Sequence, residues 1–388
     1  MRFQRRIKLL ATALVVNLAI FSAFAMPLAG VGAFVIAQVP GIQSAPVGST
    51  SSQAKPSVDA EAELKLGTDL TRKGMLEEAL PHLLLAQRSG ANSYATAMNL
   101  SICYLGTGRY KQAIAALQGL RSSGDNTAAV NNLLAQAYIG DGETQRAWGA
   151  FTEAASQTPR DEKLYAFVAD ACTEHQDYAF GLRVAESGLQ QLPDSARLHY
   201  ERAVFLGRLD RLEEARPEFE RAVALAPRTY VAYLAAVQEK LYDDQYPEAI
   251  RLLREAIKAE RQADTARGPA DYQMSSLLGT VLMKQGAAPG QPEFAEAREA
   301  LEESAQARPD YSATQIALGK LYEMDGRFAD AVEHLEIGRH LEPNNPEVYA
   351  SLSHAYLRLG DRVKAQQCQA ELSRLLEEKK AHLPPPPS

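Results

Sequence analysis

The chain has 388 residues and a formal net charge of −7, and because Arg2, Arg5, Arg6 and Lys8 crowd the extreme N-terminus, the remainder is more acidic still. An acidic body repels phosphate backbones, which sets nucleic acid aside as a partner class. Hydrophobic residues make up 46% but aromatics only 7%, a composition that suits close-packed helices better than strands.

The basic start MRFQRRIK leads into an apolar run from Leu9 to Ala25, ending on the small-residue triplet Ala23-Phe24-Ala25. That is the pattern of a signal peptide with its cleavage site. The apolar character continues to Ala37, however, which is long enough for an uncleaved N-terminal membrane anchor. Both readings of residues 1–37 place the body on the exported, extracytoplasmic (or periplasmic) side, because the basic residues stay inside. Residues 38–59, rich in Gln, Ser, Pro and Gly, read as a flexible linker.

From Ala60 onward the pattern is helical and repeats with a period of about 34 residues. Repeats span 60–93, 94–127, 128–161, 162–195, 196–229 and 230–263 without gaps, then 272–311, 312–345 and 346–379 after an insertion from Asp264 to Asp271. Counting each opening residue as column 1, column 8 is mostly small (Gly67, Ser101, Ala135, Ala169, Ala203, Gly279, Gly319). Column 20 is alanine at Ala79, Ala113, Ala147, Ala215, Ala249, Ala297, Ala331 and Ala365, with Gly181 in the fourth repeat. Column 24 is large and apolar at Leu83, Leu117, Phe151, Phe219, Leu253, Leu301 and Leu335, and column 32 carries Pro159, Pro193, Pro227, Pro309 and Pro343. Small residues let two antiparallel helices cross closely, large ones fill the space toward the next repeat, and proline stops the second helix. No single repeat has core enough to fold alone, so stability comes from stacking. A second insertion, Ala287 to Pro292, enlarges the turn of the seventh repeat, and residues 380–388 form a proline-rich tail. Cys103, Cys172 and Cys368 lie within apolar helical patterns and read as plain buried thiols.

These columns resemble the tetratricopeptide repeat family. So do Leu66-Gly67, Leu278-Gly279 and Leu318-Gly319, the column-11 tyrosines Tyr104, Tyr138, Tyr322 and Tyr356, and the turn glycines Gly74, Gly108, Gly142, Gly326 and Gly360. The chain departs from the family at column 4, where tryptophan is replaced by Tyr165, His199, Tyr233 and Tyr349 or smaller residues. The resemblance implies an all-α, right-handed superhelical solenoid of about nine helix-turn-helix repeats. It also implies that the first helices line a concave groove through columns 2, 5, 9, 12 and 13.

Motifs of catalysis are missing from this pattern. Gly106-Thr107-Gly108 and Gly140-Asp141-Gly142 fall at turns between helices, with neither a preceding strand nor a following Gly-Lys-Ser/Thr, so they read as turns and not as nucleotide loops. The histidines show no metal-ligand spacing. The expectation is a non-catalytic scaffold with no cofactor, binding a protein or peptide. Its partner-binding residues are Leu64 from the first repeat, Met98, Ile102 and Leu105 from the second, and Asn132, Gln136 and Ile139 from the third. An apolar floor with amides at its side could hold an extended segment by its side chains and backbone. The competing reading is that these residues merely pack within the array. Asp170, Arg197, Tyr200 and Arg208 make the later groove charged. Two other functions stay open, an envelope scaffold for polysaccharide or cell-wall machinery and a non-catalytic subunit of an enzyme complex.

Overall fold

The computed structural model describes residues 58–262 and 269–381. The reading of residues 1–37 falls outside them, as do most of the linker and the tail from residue 382, while Lys380 and Ala381, expected in the tail, end the last helix; among the described residues no helix is long and apolar enough to cross a membrane. Two compact units divide after Pro227. The first holds five helical pairs: α1 (Val58–Arg72) with α2 (Leu76–Arg88), α3 (Ser93–Gly106) with α4 (Tyr110–Ser122), α5 (Ala128–Gly140) with α6 (Thr144–Gln157), α7 (Glu162–Glu174) with α8 (Tyr178–Gln191), and α9 (Ala196–Arg208) with α10 (Leu212–Leu225). The second holds four: α11 (Tyr230–Tyr242) with α12 (Tyr246–Gln262), α13 (Pro269–Gln285) with α14 (Pro292–Ala307), α15 (Ser312–Met324) with α16 (Phe328–Leu341), and α17 (Pro346–Leu359) with α18 (Arg362–Ala381). Within each unit the pairs stack on one another in chain order, as in an all-α solenoid.

Each junction follows from local chemistry. The first helices of most repeats start on a side-chain cap: Asn92, Thr127, Asp161, Ser195, Thr229 and Asn345 each accept a bond from a backbone N–H of the first turn. Such a cap satisfies an otherwise orphaned donor. Between the helices of a pair, column 15 is left-handed, with Gly74, Gly108, Gly142, Gly326 and Gly360 at positive φ. Where glycine is missing, Gln176, Asp210 and Asp244 are driven to φ of 57°, 61° and 54°.

Columns 8 and 24 meet within a repeat. A Cβ on Gly67 would lie 2.6 Å from Leu83, and one on Gly319 would lie 2.4 Å from Leu335, so the helices touch where glycine permits it. Every large column-24 side chain is fully buried, contributing about 2 kcal/mol each. Gly181, where the column otherwise has alanine, leaves room for the ring of Phe205 from the next repeat, 2.4 Å from where a Cβ would stand.

The missing column-4 tryptophan also has an explanation. Tyr165 and Tyr349 donate through their hydroxyls to the carbonyls of Pro159 and Pro343 at 2.8 and 2.7 Å. His199 Nε2 and Gln315 Nε2 make the same bond to the carbonyls of Pro193 and Pro309 at 2.9 and 2.7 Å. In these four repeats column 4 ties the first helix to the proline that ended the preceding second helix, a task any side chain with a distant donor can perform. In the seventh repeat the first helix begins at Pro269, ahead of Tyr272. The end of the inserted segment is therefore helix, adding to α13.

Candidate functional site

The seven candidate residues lie on three neighbouring first helices of the first unit: Leu64 on α1, Met98, Ile102 and Leu105 on α3, and Asn132, Gln136 and Ile139 on α5. All seven are buried, with 4–8% of each side exposed. The two helices carrying most of them are enclosed all round. Ala95 to Cys103 and Val130 to Ile139 are buried without interruption. A helix buried on every face belongs in a core, and Asn132 in column 5 reaches across to the adjoining first helix.

The amides are engaged inside the protein. Asn132 Nδ2 donates to the carbonyl of Leu164 at 2.9 Å, linking α5 to α7, and Gln136 Nε2 donates to Asn132 Oδ1 at 2.6 Å. Asn99 Nδ2 turns back to the carbonyl of Ala95 at 2.8 Å. Their first role is to satisfy buried polar groups, as burial demands.

The same face opens in part at the fourth and fifth repeats. Lys163 and Glu174 are exposed, and Ala166, Phe167 and Arg208 are half-buried. At its centre sits a group of three charges. Arg197 Nη2 donates to Asp170 Oδ1 at 2.9 Å and Arg197 Nε to Glu201 Oε1 at 2.6 Å. Arg197 keeps 20% of its side chain exposed, while both carboxylates are buried. Two acids share this guanidinium. Burial pushes the Glu201 carboxyl up to about 7, with the Arg197 charge opposing and Asp170 assisting. For Arg197 burial disfavours the charge, but the two carboxylates outweigh it and hold the guanidinium cationic.

Asp170 and Arg197 belong to groove columns and were legible in the sequence, whereas Glu201, in column 6, was not. The signal that could have found it is the Arg197–Glu201 spacing of i, i+4, which places both on one side of the helix.

The three cysteines are free and buried, and burial raises each thiol above its ordinary value, so none is disposed to react as a thiolate. Among the described residues no three His, Cys, Asp or Glu side chains gather as metal ligands.

Among known proteins, the chain is similar to the BBSome complex member BBS4 homolog of Drosophila melanogaster, with 27% identity over 176 residues, 43% of this chain. It spans about a third of that relative's length, 34%. The crystal structure of yeast Tom70 superposes with a TM-score of 0.60 at 13% identity, covering 94% of this chain and 76% of that one. At that identity the likeness is one of fold. A tetratricopeptide repeat protein from Parabacteroides merdae is 16% identical, covering 68% of this chain and 98% of its own, with a TM-score of 0.48. Tetratricopeptide repeat sequence families match residues 70–137, 196–229, 234–312 and 283–350, more than half of the chain, which therefore belongs to the tetratricopeptide repeat family.

Proposed function

We propose that the protein is a non-catalytic scaffold, exported or tethered by its N-terminal segment, that recruits a partner protein or peptide along the first-helix face of its first unit. The observation that carries this reading is the change along that face. A closed apolar and amide layer, comprising Leu64, Met98, Ile102, Leu105, Asn132, Gln136 and Ile139, borders an open stretch with Phe167, Arg197 and Arg208. A partner segment seated on the open stretch would cover the half-buried groups and reach the edges of the closed layer. Membership of a multi-protein complex, printed in the name of the Drosophila relative, is in keeping with such a role.

The test is capture of partners from the native membrane by the full chain and by two variants. Phe167→Ala should reduce recovery of the main partner at least about tenfold at unchanged helicity, the loss of an aromatic anchor. Gln136→Ala should reduce it by a smaller factor. If both variants stay folded and recover the same partner in full, the face is not the site. Export is tested separately, by mass spectrometry of the mature N-terminus and protease access to intact cells. A chain with Met1 intact and the body shielded in the cytoplasm would contradict it.

A further inference from the structure

Among the described residues, exposed large apolar side chains are not scattered. Those between 38% and 66% exposed are Leu66, Met75 and Leu85 in the first repeat, Met324 and Ile337 in the eighth, and Leu357, Leu359, Val363 and Leu376 in the ninth. Among the described residues none falls in repeats two to seven. Inside the stack the corresponding columns are closed. Column 12, open at Leu357, is buried at Leu105, Ile139 and Thr173, and column 7, open at Leu66, is buried at Leu100, Leu134 and Val168. What is bare at the two ends is what a neighbouring repeat covers elsewhere.

The junctions within each unit show which columns meet. Column 18 of one repeat meets column 16 of the next, as Glu77 meets Arg109 at 2.8 Å. Columns 28 and 32 meet column 26 of the next, as Arg121 meets Glu153 at 2.8 Å and Arg261 meets Glu303 at 2.6 Å. Column 25 meets column 11 of the next, as Gln118 meets Tyr138 at 2.8 Å and Glu336 meets Tyr356 at 2.7 Å. Column 9 meets column 2 of the next, as Asp170 meets Arg197 at 2.9 Å and Lys320 meets Glu347 at 2.6 Å.

Applied to the ninth repeat of one copy followed by the first repeat of another, the same rule gives a matched set. Column 18 is Val363 and column 16 is Met75, apolar on both sides where the internal junction has an ion pair. Columns 28 and 32 are Ser373 and Glu377, with the exposed Leu376 beside them in column 31, and column 26 is the exposed Leu85. Ala370 in column 25 meets Leu70 in column 11. Column 9 is His354, which touches Glu323 in its own chain, and column 2 is Glu61, so an imidazole faces a carboxylate.

We propose that the two ends of the array bind each other between copies, so that the protein assembles head to tail with the stack continued in register across the join. Each end is made of different residues, so the contact is heterologous and propagates into an open chain or a ring. Replacing the internal ion pairs with exposed apolar partners favours the join, because it removes apolar surface from water without leaving a charge behind.

The test uses the full chain in sedimentation equilibrium over a dilution series, with Leu85→Glu at one end and Leu376→Glu at the other. Both positions are exposed, so each variant should match the wild type in helicity. Wild-type mass should rise with concentration beyond that of a dimer. Each variant alone should remain monomeric, since each has lost one half of the only contact. An equal mixture should give dimers and nothing larger, because one variant keeps an intact C-terminal end and the other an intact N-terminal end. Met75→Lys and Val363→Lys repeat the test at a second contact. A wild type that stays monomeric at every concentration overturns the proposal. So does a Leu85→Glu variant that still dimerises, which would mean that like ends pair, or a pair of variants that both assemble as wild type does, which would place association on another surface, residues 9–37 included.

Discussion

Burial and two charged neighbours decide the charge of Glu201: Arg197 on its own helix and Asp170 on α7. With its carboxyl pushed up to about 7 from an ordinary 4.5, the folded protein holds this proton more tightly than the unfolded chain does. The stabilisation is therefore fully present below pH 4.5 and is lost as pH rises through about 7. Glu201→Gln removes one of two buried negative charges and leaves Arg197 paired with Asp170. Its melting temperature relative to wild type should rise between those two pH values and then level off, with the variant at least as stable as wild type at pH 8. A difference that does not vary with pH would show that Glu201 is ionised throughout. Residues of this kind are hard to read in a sequence, because Glu201 occurs once in column 6, a column with no recurring residue type. Its burial depends on how the neighbouring helices pack.

At the scale of the helical pair, the columns were legible because each answers a backbone requirement repeated along the chain. Column 15 needs a left-handed residue, and the side chains at Gln176, Asp210 and Asp244 are strained there. Gln176→Gly should stabilise the protein by roughly 1 kcal/mol in a denaturant melt, and Asp210→Gly by less, since aspartate tolerates this conformation better. Destabilisation by either would mean that the side chain makes a contact worth more than the strain. Column 20 needs a small residue. Ala215 is buried at the crossing and Glu213 is exposed on the same helix, so Ala215→Leu should cost about 1–3 kcal/mol and Glu213→Gln at most about 0.5. Equal costs would overturn the register. Column 4 was the harder reading. Tyrosine, histidine and glutamine look unlike one another as letters, yet all place a donor near the same carbonyl.

The chain belongs to the tetratricopeptide repeat family, and its fold was open to a reader of the sequence from the period and the columns together with their resemblance to that family. The candidate face was only partly so. Column numbers identify which side chains point toward a groove, but whether Ile102 or Gln136 meets solvent depends on how tightly adjoining first helices close over them. That spacing is a property of packing between repeats, which no single column records. Where a partner sits is read directly by hydrogen exchange of the full chain, alone and with its captured partner. Added protection should concentrate on α3, α5, α7 and α9, the helices that carry the closed layer and the Asp170–Arg197–Glu201 cluster, with the second helices α4, α6 and α8 little changed. Protection confined to the second helices, with α5 and α7 exchanging as they do in the free chain, would contradict it.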